Sequence, residues 1–122
     1  MNPTILILLA GLMGAAGVGL AAAAAHGPYA GSGLESAAHM LLFHAIAVLA
    51  GASALDRLEL WRPALTIALY GWVLGASLFA GSIALRTFTG VAPFPMAAPT
   101  GGSILILSWL ALAAATIFAL RR

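Results

Sequence analysis

The chain is 122 residues long, 63% hydrophobic and 7% charged, with no cysteine and a formal net charge of +2. A soluble domain of this length has too little interior to hide so much apolar surface, and the surplus must face lipid. The missing cysteine excludes disulfides, thiolate chemistry and sulfur-ligated metal, and five scattered arginines without a lysine give no phosphate-tracking patch for nucleic acid.

Four apolar stretches, Thr4–Ala25, Glu35–Leu55, Pro63–Leu85 and Gly101–Leu120, approach or exceed the roughly 20 residues a helix needs to cross about 30 Å of hydrocarbon. They predict an all-α fold, a single integral membrane domain over residues 1–122 built as a bundle of four transmembrane helices. The first stretch has no Arg or Lys before it, and its apolar run exceeds a usual signal core, so it reads as a retained span rather than a cleaved leader. Its small residues Gly11, Ala15, Gly19 and Ala23 recur every fourth position, which lines up a face for close helix packing.

After the turn at His26 to Gly31, Ser32-Gly33-Leu34-Glu35 fits a capping box, which gives Glu35 a structural use ahead of a catalytic one. The second span ends at Asp56-Arg57-Leu58-Glu59-Leu60-Trp61-Arg62-Pro63, a short connection with an interfacial tryptophan and a helix-starting proline. So brief a link makes the second and third spans antiparallel neighbours. In the third span, Gly71 with Gly75 and Ser77 with Gly81 offer further close packing, and Arg86 at its end can snorkel to headgroups or meet Glu35. A loop from Thr87 to Thr100 follows, with prolines at 93, 95 and 99. Thr100 is placed to cap the fourth span, where the amides of Gly101 and Gly102 could hold an anion, although a plain tight helix start is the simpler reading.

Arg57, Arg62, Arg121 and Arg122 fall on one side of a four-span arrangement and Arg86 on the other. The positive-inside bias then makes the side carrying both termini cytoplasmic.

One ionisable residue is deep. Counting from Glu35 at about 1.5 Å per residue puts His44 roughly 13 Å down the second helix, near mid-membrane. It can serve proton transfer or ligand binding, or make a neutral hydrogen bond that fixes helix positions, with Ser77, Ser82, Ser103 and Ser108 as partners to hand. The structural use is the leading reading. His39 is turned roughly 140° from His44, so the two form no same-face metal pair. His26 and His39 could share an ion only with a further ligand such as Glu35, and read instead as interfacial histidines. Only one histidine is deep, which disfavours a haem; no nucleophile and base stand in a fixed relation, and no cofactor is expected.

The segments Leu20 to His26, His44 to Leu49, Ala80-Gly81-Ser82-Ile83 and Pro99-Thr100-Gly101-Gly102, together with Trp109, resemble the small bacterial membrane proteins of the domain of unknown function 423 family, related to the eukaryotic transmembrane protein 256 group. In that family the first segment usually reads Gly-Ala-Phe-Gly-Ala-His; here alanines at 21, 23 and 24 replace both glycines and the phenylalanine, and His26 matches. The resemblance implies a four-span membrane protein without an established general activity. It singles out His26, His44, Ser82 and Gly101 as positions of interest.

The expected function is that of a small noncatalytic inner-membrane protein, a structural or accessory component. Its expected partners are membrane lipids and either a second copy or another membrane protein. The alternative is an oligomeric transporter or channel component that uses His44 in a proton or solute path.

Overall fold

The computed structural model describes residues 2–121. Arg122, counted above in the charge bias, lies outside them. The described residues form four helices and no strand: α1 (Pro3–Ala25), α2 (Leu34–Ala54), α3 (Arg62–Thr89) and α4 (Ala97–Leu120). All four are long and apolar enough to cross a membrane, as expected from the sequence.

Local chemistry sets the ends. Asn2 accepts from the Thr4 amide at 3.0 Å and caps α1, and Pro3 takes the first helical position, where no amide is needed. The third helix runs past the expected end at Leu85 and carries Arg86 inside its last turn. It stops where Gly90 turns left-handed at φ 73° and donates its amide to the Arg86 carbonyl at 2.9 Å. The fourth helix starts four residues earlier than expected, at Ala97 rather than Gly101. Pro99 is no obstacle in a first turn, because the amide it lacks would have had no helical partner. The connection between α3 and α4 is therefore 90–96, shorter than the expected loop.

The helices pack in chain order rather than as a closed square. Helix α1 lies on α2 and touches α3, α2 lies on α3, and α3 lies on α4, while α4 brings no Cα within 8 Å of α1 or α2. The core accordingly centres on α2 and α3, with Val48, Leu65, Leu69 and Trp72 almost wholly buried. Side chains such as Leu8, Phe43, Ile67 and Leu110 are largely exposed, as expected of residues that face lipid.

Packing of α3 on α4 depends on missing side chains. A Cβ on Gly75 would come within 2.9 Å of the Gly101 carbonyl oxygen, and a Cβ on Gly101 within 2.6 Å of the Phe79 amide nitrogen. Gly71 likewise makes room for the Ser108 hydroxyl. Backbone to backbone, these helices approach as small-residue interfaces in lipid do. The expected packing by Ser77 and Gly81 is not made: Ser77 is exposed and Gly81 has no neighbour that an added Cβ would meet. In α1, Gly11 and Gly19 also face open space, and Leu6, Ala10, Met13 and Gly17 form the packed face instead. A four-residue spacing of small residues recurs on several faces of an alanine- and glycine-rich helix, and the bulkier Leu6 and Met13 decide which face packs.

At the end carrying both termini, the Trp61 amide donates to the Ala115 carbonyl at 3.3 Å and its ring packs on Phe118 with centroids 4.6 Å apart. At the other end Tyr29 meets Phe88 edge to face at 5.2 Å.

Candidate functional site

Because α2 and α4 flank α3 without closing on each other, a groove runs between them with α3 as its floor. His44 and Trp109 bridge it near the middle of both helices. The indole Nε1–H of Trp109 donates to His44 Nε2 at 3.2 Å. An indole nitrogen can only donate, so Nε2 carries the lone pair and the imidazole proton is on Nδ1. That Nδ1–H donates to the Met40 carbonyl at 2.7 Å, one turn back on the same helix. Thus His44 is a neutral imidazole, 6% exposed, with both nitrogens engaged by protein. Trp72 of α3 lies beneath, its ring centroid 4.5 Å from that of Trp109. Its buried indole N–H has no hydrogen-bond partner among the described residues.

The bridge divides the groove. A cavity of about 390 Å³, almost wholly apolar, lies toward the α2–α3 connection, and one of about 300 Å³ lies toward the opposite end. Trp109 walls both, and His44 and Gly102 line the second.

The serines proposed as partners for His44 bond to their own helices. Ser82 donates to the Phe79 carbonyl at 2.9 Å, Ser103 to Pro99 at 3.0 Å and Ser108 to Ile104 at 2.7 Å, and Ser77 is exposed. Trp109, the actual partner, was legible in one respect. It stands roughly 12 Å into its expected span and His44 roughly 13 Å into its own, by residue rise, and a donor and an acceptor at equal depth in hydrocarbon invite pairing.

The other candidates are dispersed. His26 is exposed and ends α1, donating its amide to the Ala22 carbonyl. His39 is exposed and lies against Phe43 with centroids 5.9 Å apart. No group of three metal-ligating side chains occurs among the described residues. The capping box at Glu35 is not formed. Gly33, at φ 89°, is the cap residue, and Ser32 accepts from the Leu34 amide at 3.5 Å, so Glu35 is left exposed in the first turn. The left-handed Gly33 turns Ser32 away from the position from which its hydroxyl would reach the third helical amide.

Nor does Arg86 meet Glu35. The ion pair among the described residues is Arg62 with Asp56 at 3.4 Å, both exposed. Arg86 and Ser82 instead line an 80 Å³ cavity under the 90–96 connection. Thr100 does not cap α4: its amide donates to the Met96 carbonyl at 2.9 Å as part of the helical ladder. Gly101 and Gly102 follow it inside the helix, beyond the free N-terminal amides, which removes the anion-holding reading. Their use is steric, with Gly101 buried against α3 and Gly102 beside the His44 cavity.

No curated protein and no solved structure matches the chain. Residues 20–102 match the family described as Protein of unknown function (DUF423), a span that holds all eight candidate positions from His26 to Gly102 and stops short of Trp109. Matched over more than half its length, and made of four membrane-crossing helices, the chain belongs to the DUF423 family.

Proposed function

We propose that this protein is a noncatalytic component of the bacterial cytoplasmic membrane, with both termini in the cytoplasm, that supports or binds another membrane component or a second copy of itself. The observation behind this reading is the state of His44. Both ring nitrogens are spent on protein hydrogen bonds, one within α2 and one across to α4, as in a group that holds helices in register. A proton relay needs a nitrogen able to change partners, and Trp109 cannot accept the proton it would have to take. The orientation rests on Arg57, Arg62 and Arg121 at one end against Arg86 at the other.

The alternative, an oligomeric transporter or channel component working through His44, draws support from the 300 Å³ cavity that His44 lines. Extraction in mild detergent followed by native mass analysis, with proton flux measured in reconstituted vesicles, separates the two. Retention of a second chain or second copy with no flux above protein-free vesicles is the expected result. A lone monomer, together with a flux that His44→Gln abolishes, would overturn the proposal in favour of transport.

A further inference from the structure

The 390 Å³ cavity on the connector side of the His44–Trp109 bridge has a defined length. It runs from Ala54 to Ala47 on α2, from Leu65 to Trp72 on α3 and from Thr116 to Trp109 on α4. Each helix contributes seven residues of rise, about 10 Å. That is most of one leaflet's share of a hydrocarbon layer about 30 Å thick. The cavity ends at the tryptophans near mid-membrane and reaches at its other end Leu60, a residue that also lines a second cavity of about 470 Å³. This second cavity is predominantly polar and is lined by Glu59 and Arg62 beside Trp61, at the interface. An apolar slot of leaflet depth with a polar surface pocket on the other side of Leu60 matches an amphiphile with one chain and one headgroup to place.

Charge narrows the headgroup. The connection carries two acids, Asp56 and Glu59, and two bases, Arg57 and Arg62, which sum to zero. Anionic lipids are drawn by clusters of uncompensated bases, and this connection has none; Arg121, at the same end, lines neither cavity. We infer that the groove between α2 and α4 is a binding site for a zwitterionic glycerophospholipid with an ethanolamine headgroup. One acyl chain lies in the apolar slot, the Arg62 guanidinium donates to the phosphate and the ammonium donates to the Glu59 carboxylate. Arg62 already shares its charge with Asp56 at 3.4 Å, so it suits a phosphate whose own charge is balanced within the ligand.

The test is native mass analysis of the whole protein in detergent with equimolar phosphatidylethanolamine, phosphatidylcholine and phosphatidylglycerol. One phosphatidylethanolamine is expected to be retained, at about tenfold preference over the other two. Ala50→Phe fills the slot from an exposed position and is expected to lower retention of all three about tenfold. Thr116→Phe does the same from α4 should the first variant fold poorly. Glu59→Gln is expected to remove the headgroup preference and keep the chain. Equal retention of all three lipids by the unaltered protein, or unchanged retention in both slot-filling variants, would overturn the assignment.

Discussion

An indole in hydrocarbon has one proton to give and nothing with which to accept, so the atom it faces must carry a lone pair. That rule fixes the tautomer of His44 as the Nδ1–H form, readable from ¹⁵N shifts of labelled protein in lipid. An imidazole proton on Nε2 would contradict the Trp109 contact. Trp109→Phe keeps an aromatic ring, though a smaller one, and deletes the donor. Interhelical hydrogen bonds in membranes average about 0.6 kcal/mol and reach about 1.7, so this substitution is expected to destabilise by about that range. A double-mutant cycle with His44→Leu should return a coupling of similar size, and additivity within about 0.3 kcal/mol would mean that the bond contributes nothing.

Between elements, the decisive chemistry is the absence of a side chain. Gly75→Leu or Gly101→Leu must push α3 from α4, since each added group meets backbone atoms at under 3 Å. The expected loss is about 1–3 kcal/mol, or failure to fold, in denaturant unfolding of the reconstituted protein. Gly81→Leu and Gly19→Leu point into open space and should stay within about 0.5 kcal/mol of the parent. Matching losses at all four positions would show that the α3–α4 interface has been misassigned. The left-handed Gly90 belongs to the same scale: Gly90→Ala should cost about 1 kcal/mol through backbone strain alone.

For the whole molecule, four crossings put both termini and the α2–α3 connection on one side. The chain has no native cysteine, which makes single labels clean. Glu59→Cys and Arg121→Cys are expected to react with an impermeant thiol reagent from the same face of sealed vesicles, and Gly31→Cys and Val91→Cys from the other. Labelling of Glu59→Cys and Gly31→Cys from one face would rule out the second span as a crossing. The open arrangement has a consequence of its own. With α4 held by backbone packing on α3 and, toward its C-terminal end, by the amide and ring of Trp61, and tied to α2 by the His44–Trp109 hydrogen bond, loss of that bond should widen the groove, a change that cross-link distances between α2 and α4 can follow.

Four apolar helices and their order were legible in the linear chain, because the length and polarity of a helix in lipid are local properties set by hydrocarbon thickness. The caps were less legible. A Ser-x-x-Glu pattern and a Thr-Gly-Gly start are plausible wherever they occur, and the choice fell to Gly33 and to a first turn that could absorb Pro99. Which glycines pack was hidden as well, since Gly71 and Gly75 touch α4 while Gly11, Gly19 and Gly81 do not, and all five sit at similar spacing. The partner of His44 is 65 residues away along the chain. Only the tertiary arrangement, with α2 and α4 set on the same side of α3, brings the imidazole and the indole of Trp109 together, because rotation of one helix about its axis relative to another is decided by packing and leaves no mark on hydropathy.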